Sequence, residues 1–307
     1  MIGFVERTSC PGCDSRTVRT LLDLPFDDPK LSGFVRTYYR IDPAILDAPY
    51  VLDRCGRCGL IFQRFVGNDA LLEKLYSHWA PTAANASEIA FFTANMASPE
   101  ASRDGHEMMT LSAFLGRPIR ELKVLDYGMG WGLWPAIATR LGADAYGTEL
   151  SEKMRVEAER NGVKVLAEPL DGEFDFISLE QVIEHVQAPG DLLRRLSRSV
   201  RPGGIIKLSL PNATNAPKII TKIITGTYRG DYPTIIPIQP LEHINSFTPR
   251  AVRHMAENVG LAVVKPTLAQ RYSFIGRSPL SAKELARPVW QYHTRRNIYV
   301  WLRLPSR

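Results

Sequence analysis

An α/β fold with a mostly parallel sheet, behind a small cysteine-rich module, is predicted by three observations. Residues 124–132, Val-Leu-Asp-Tyr-Gly-Met-Gly-Trp-Gly, read as a strand running into a glycine turn. Further apolar segments alternate with helix-like stretches downstream of it. Upstream stand two C-x-x-C pairs, Cys10 with Cys13 and Cys55 with Cys58.

The glycine turn is the most telling element. Gly128, Gly130 and Gly132 remove the Cβ where the chain doubles back, so the backbone can approach a ligand and offer N–H donors at a helix start. Pro135 suits the first turn of that helix. Asp144 to Glu149 reads as a second strand ending in an acid able to accept both hydroxyls of a ribose. Turn plus acid indicate an adenosine-type ligand. A dinucleotide fingerprint would place its third glycine where Leu133 stands, which favours S-adenosylmethionine (SAM) over NAD. A third strand is expected at Val163 to Leu166 and a fourth from Phe174, leading into Glu184-His185-Val186. A helix from Gly190 to Val200, a turn at Arg201-Pro202-Gly203-Gly204 and a fifth strand from Ile205 to Leu210 follow.

These ordered motifs resemble the class I SAM-dependent methyltransferases from about Lys123 to the end. The resemblance implies a Rossmann-like, seven-stranded α/β sheet whose last two strands are antiparallel. It places Asp126, Gly128, Gly130 and Gly132 at the methionine end of SAM and Glu149 at its ribose. The closing strands would be Leu261 to Lys265 and Asn297 to Leu304, with the helix from Thr248 to Val259, stopped by Gly260, before them.

The cysteines predict a structural zinc ion. Zinc favours four thiolates in a tetrahedron, and two C-x-x-C knuckles, Cys10/Cys13 and Cys55/Cys58, supply them with no position left open for chemistry. Residues 1–66 are read as this module, 67–122 as a helical extension and 123–307 as the methyltransferase domain. Within the extension, helices are expected over Asn68 to Trp79, capped by Asp69, and over Ala84 to Leu115. The stretch 211–240 exceeds what a minimal domain needs. Its isoleucine pairs at 219/220 and 223/224 recur at helical spacing, and we read it as a lid.

At 307 residues with 45% hydrophobic content, the chain can bury a core of ordinary size. It has no run of roughly 20 apolar residues and no leader-like start, so a cytoplasmic location is expected. The net charge of +6 is uneven: from Thr248 onward 11 Lys or Arg face only Glu257 and Glu284, against 27 basic and 30 acidic residues before it. A basic C-terminal fifth suits an anionic partner, a nucleotide-linked sugar, phospholipid headgroups or RNA, or else a solvated helix face.

Methyl transfer needs an acceptor held in line and, for a hydroxyl, a base. His185, just beyond the fourth strand, and His243, in Leu241-Glu242-His243-Ile244, could accept that proton, with Glu242 or Glu184 orienting one. The chain here is similar to the subgroup of methyltransferases with an N-terminal four-cysteine zinc module, among them deoxysugar C-methyltransferases. His185, Glu242 and His243 match its histidine and Tyr-x-Glu-His strings. Pro240 stands at the tyrosine position, and with Asn297 to Leu304 read as the last catalytic-domain strand, the subgroup's C-terminal domain is not expected. The expected acceptor is a small, sugar-like, hydroxylated molecule, methylated at O or C.

Three alternatives stay open. An RNA methyltransferase would suit a zinc module and basic tail, but Ser178-Leu179-Glu180-Gln181 stands where base-amine enzymes carry Asn/Asp-Pro-Pro-aromatic, so nucleic acid is disfavoured. A quinone or lipid acceptor would suit the aromatic and arginine mixture of Trp290, Tyr292, Arg295, Arg296, Tyr299, Trp301 and Arg303, leaving peripheral membrane contact open. A non-catalytic zinc-ribbon scaffold would require loss of SAM binding.

Overall fold

The computed structural model describes residues 1–79, 86–229, 232–275, 282–290 and 296–306. The predicted helix start at Ala84, and Tyr292 and Arg295 of the aromatic and arginine segment, lie outside them. The chain divides into two compact units: Met1–Ala83 with Ile183–Leu193 and Leu210–Asn258, and Ala84–Val182 with Arg194–Ser209 and Val259–Arg307.

The second unit carries the seven-stranded sheet. Its strands are β1 (Lys123–Tyr127), β2 (Asp144–Thr148), β3 (Lys164–Val165), β4 (Phe174–Glu180), β5 (Val200–Pro211), β6 (Ala262–Val264) and β7 (Asn297–Arg303). They lie in the order β6-β7-β5-β4-β1-β2-β3, with β6 antiparallel to β7 and β1 to β5 parallel where paired. This is the predicted class I methyltransferase sheet. The central strands β1 and β4 are buried almost throughout, Asp126, Asp175 and Ser178 included, because a parallel sheet is covered on both faces. One cluster packs Trp134 on Phe176, ring centroids 5.6 Å apart, with Trp301 edge-on to the same ring at 5.8 Å.

Two segments differ from what their local sequence predicts. The helix expected over Ala84 to Leu115 is two helices, Ala86–Ala97 and Arg103–Leu115, with a short 3₁₀ turn at Pro99–Ala101 between them. Pro99 has no N–H to continue the ladder, and the Ser102 hydroxyl accepts from Gly105 N–H at 2.9 Å to start the next helix. The turn expected at 201–204 is an irregularity inside β5, where the register slips between Val200 and Ile205 and Gly203 takes φ 80°.

The first unit folds the excursion between the knuckles back on itself. Val18–Pro25 and Pro49–Cys55 pair antiparallel from Val18 opposite Cys55 to Pro25 opposite Pro49, which returns Cys55 toward the first knuckle. Ile61–Gln63 and Asn245–Ser246 complete a four-stranded antiparallel sheet. Ile219 and Ile220 of the helix Ala216–Ile224 enter one buried cluster with Leu22, Phe26 and Leu52. The helix Asp69–Lys74 is capped by Asn68, not Asp69: the Asn68 side chain accepts from Leu71 N–H at 3.0 Å.

Candidate functional site

In the second unit, the chain leaves β1 through Gly128, Gly130 and Gly132 at φ 73°, 54° and 75°, a region that L side chains avoid. They have different jobs. A Cβ on Gly128 would lie 2.8 Å from a Val182 methyl, and one on Gly132 would lie 2.6 Å from the Ala158 Cβ, so those two let chain segments meet. A Cβ on Gly130 would meet nothing within 4 Å. Gly130 therefore keeps open space above the backbone, which is where this turn could receive a ligand.

Glu149 follows β2 and is tied to that turn. Its carboxylate accepts from Gly130 N–H at 3.0 Å and from Ser151 N–H at 2.9 Å. A carboxylate has about four acceptor sites, so two remain for the hydroxyls of a ribose. The next residue, Leu150, is 96% exposed, an apolar side chain with no protein surface to cover. Sequence reading passed over it, though an apolar residue directly after the acid was its signal.

Asp126 is buried beside the turn, 6% exposed. Burial pushes its carboxyl up to about 8, and Lys207 offsets this only in part. A ligand ammonium at this place would favour the carboxylate. The residues thus suit SAM: an open glycine turn, an acid for the ribose, and an acid whose charge a cation would stabilise. Gly130→Ala tests the fit. It should cost the fold about 1 kcal/mol for the left-handed backbone and lower SAM affinity at least roughly tenfold, about 1.4 kcal/mol. Gly132→Ala should lower the melting temperature as well, because its Cβ meets Ala158.

In the first unit, His185 ends the 3₁₀ turn Ile183–His185, and His243 precedes Asn245–Ser246 by two residues. Their rings stand edge to face, centroids 4.8 Å apart. His185 Nδ1 lies 3.0 Å from the Glu242 carbonyl and 3.3 Å from the Tyr76 hydroxyl. His243 Nδ1 bonds the Ile236 carbonyl. A carbonyl only accepts, so each Nδ1 carries the proton and each Nε2 keeps its lone pair. Burial drops His185 to about 3, helped by the neighbouring His243, and burial likewise drops His243 to about 4, so both rings are neutral.

The Glu242 carboxylate does not orient an imidazole. It accepts from the Tyr39 hydroxyl at 3.0 Å and from the Gln239 side-chain amide, and it is the Glu242 backbone that holds His185. Tyr39 thus brings a phenol to Glu242 from a distant part of the chain, although Pro240 stands at the tyrosine position of the string. Sequence reading missed Tyr39, Gln239, Tyr76 and Asn245, whose roles arise from long-range packing.

The four cysteines come together as predicted. Cys10 and Cys58 Sγ are 3.6 Å apart, as are Cys13 and Cys55, and all four lie within 4.8 Å of one another. Four sulfurs at about 2.3 Å from a tetrahedral zinc would be about 3.8 Å apart. The donor set fits a structural zinc ion with no open position.

A family model described as "Methyltransferase domain" matches residues 100–265, more than half of the chain. The chain belongs to that methyltransferase family. Among curated relatives, the ubiquinone biosynthesis O-methyltransferase of Roseobacter denitrificans is 35% identical over 121 residues, 36% of this chain and 48% of that protein. The protein of the same name from Azorhizobium caulinodans is 33% identical over 148 residues, 41% and 56% of the two chains. The chain spans about half the length of these relatives. Among solved structures, the magnesium protoporphyrin IX methyltransferase of Synechocystis PCC 6803 with bound SAH is 13% identical, with 77% of this chain and 99% of that one covered and a TM-score of 0.47.

Proposed function

We propose that the chain is a SAM-dependent methyltransferase acting on a hydroxyl of a small, sugar-like acceptor. The observation that carries this reading is the pair of neutral imidazoles, each pinned through Nδ1 to a backbone carbonyl and presenting an Nε2 lone pair. SAM, when bound, supplies a methyl group on a sulfonium, an electrophile that leaves the protein to position the acceptor and relieve it of a proton. Gly128 to Gly132 and Asp126 would take the methionyl end, Glu149 the ribose and Leu150 a face of the purine. Nε2 of His243 or His185 would accept a hydrogen bond from the acceptor hydroxyl and draw its proton as the C–O bond forms.

A second reading has its own support. The curated relatives bear the name ubiquinone biosynthesis O-methyltransferase, which favours a phenolic quinone precursor. A phenol is already close to 10 in pKa and needs less help from a base than a sugar hydroxyl. Among the described residues no helix is long and apolar enough to cross a membrane.

Labelled methyl from SAM, offered to a cell extract that is then separated into aqueous small molecules, lipids and nucleic acid, tests both. Label in the aqueous pool supports the sugar reading, label in an extractable phenol supports the second, and label in RNA overturns both. His243→Ala should lower turnover at least roughly tenfold with SAM affinity unchanged. Unchanged turnover would remove His243 from the reaction.

A further inference from the structure

Three side chains of the first unit point to a second metal centre, separate from the cysteine cluster. Glu184, His185 and His243 each offer a donor atom, all within 4.8 Å of one another. Neighbouring donors around one ion at about 2.1 Å stand about 3.0 to 3.4 Å apart, so binding would draw the widest pair together by roughly an ångström or more. Two imidazoles and one carboxylate make a familiar divalent-metal set that leaves coordination positions open.

The surroundings fit ligation as well as the donors do. A metal-bound histidine commonly gives its other ring N–H to a backbone carbonyl, which fixes the tautomer and aims the lone pair at the ion. Both histidines are held this way, His185 on Glu242 and His243 on Ile236. The backbone carrying Glu184 and His185 is fixed too. The Asn245 side-chain amide donates to the Val186 carbonyl at 2.6 Å and reaches those of Ile183 and Glu184 at 3.4 Å. Glu184 itself is 2% exposed and His243 8%, so the donors sit where water competes little for an ion. A lone catalytic base needs one such histidine. Two, pinned alike beside a buried carboxylate, exceed that need.

We propose that Glu184, His185 and His243 bind one divalent transition-metal ion, with the open positions facing the acceptor hydroxyl. The ion would occupy both Nε2 lone pairs, so with metal bound it would lower the pKa of that hydroxyl as a Lewis acid in place of an imidazole base, the proton passing to water. This last role rests on the hydroxyl-acceptor reading; binding of the ion does not.

The test uses the full chain with zinc already at the cysteines and Co2+ as the probe, followed by visible absorption. The expected result is one further Co2+ per chain with weak d–d bands and no sulfur charge-transfer band. Glu184→Gln and His185→Gln should each weaken that binding roughly tenfold or more, while the zinc content and SAM affinity stay as in the parent and show that the variant is folded. No Co2+ beyond the cysteine site, or binding that neither variant weakens, overturns the proposal. Because the readout needs no acceptor, a bound ion in an enzyme that methylates no hydroxyl would overturn the acceptor reading alone.

Discussion

Cys58→Ser is expected to remove the bound zinc and to unfold the four-stranded sheet of the first unit at the growth temperature of an ordinary mesophile. The sequence sets cysteines at one end of a strand pair: Cys55 closes the strand paired from Val18, and Cys10 and Cys13 sit just before Val18. Between the knuckles lie 41 residues, counted from 14 to 54, whose return a bound ion would enforce. A structural zinc contributes on the order of 10 kcal/mol or more, as much as the whole stability of a typical domain. Serine cannot replace a thiolate toward zinc. The consequence reaches the histidines, since Asn245–Ser246 pairs with Ile61–Gln63 directly after the second knuckle and follows His243 by two residues. Turnover should therefore fall by about a hundredfold or more, about 2.7 kcal/mol or more, while the glycine turn of the second unit still binds SAM. Metal analysis, thermal unfolding and SAM titration on the variant read the three effects. A parent protein without zinc, or a variant that melts as the parent does, would refute the role.

What the sequence revealed was local or tied to motifs, and what it hid was long-range. The strands and the glycine turn were legible because alternation, apolar runs and glycine spacing are properties of neighbouring residues. The cysteine cluster was legible because C-x-x-C spacing already wraps two sulfurs. Both histidines could be named, since each sits in a short string, but not their pinning to the carbonyls of residues 242 and 236, which depends on how loops far apart in the chain return. The role of Glu242 shows the limit most plainly. Adjacency to His243 suggested a partner for an imidazole, whereas Tyr39, about two hundred residues away, takes its carboxylate. The single helix expected across Pro99 was a misjudgement of a local signal, because Pro99 and Ser102 together mark a stop and a start. Lys207 was legible and passed over: one charged residue inside Ile-Ile-Lys-Leu-Ser-Leu contradicts a buried strand unless partners wait for it.

Those partners make Lys207→Met the other large expected loss. The Lys207 ammonium, 2% exposed, stands 2.9 and 3.0 Å from the two Glu107 oxygens and 3.1 Å from Glu180. Burial alone would lower its pKa, and Glu107 and Glu180 more than reverse that, so it stays charged. Methionine fills similar volume without the charge, leaving Glu107 with the Trp134 N–H at 3.1 Å and the Tyr299 hydroxyl at 2.6 Å but no cation from β5. Removing one partner of a buried ion pair costs about 3 kcal/mol or more, because the other charge remains buried. The pH dependence identifies the cause. Burial would raise the Glu180 carboxyl, yet Lys207 and Arg103 hold it below its usual value. A carboxyl depressed in the fold contributes stability above its unfolded pKa, near 4.5, and loses it as pH falls through the folded value. The parent should therefore lead the variant most at neutral pH, and the gap should narrow below about pH 4.5 as Glu180 takes up its proton. Denaturant unfolding at pH 7 and at pH 4 measures both; an equal gap at the two would mean that lost packing, not lost charge, destabilises the variant. Asp126 gives a second readout. Lys207 is the cation that counters the burial of that carboxyl, so the variant should hold Asp126 protonated to higher pH than the parent. If Asp126 takes the ammonium end of SAM, the rise of SAM affinity with pH should move to higher pH in step with it.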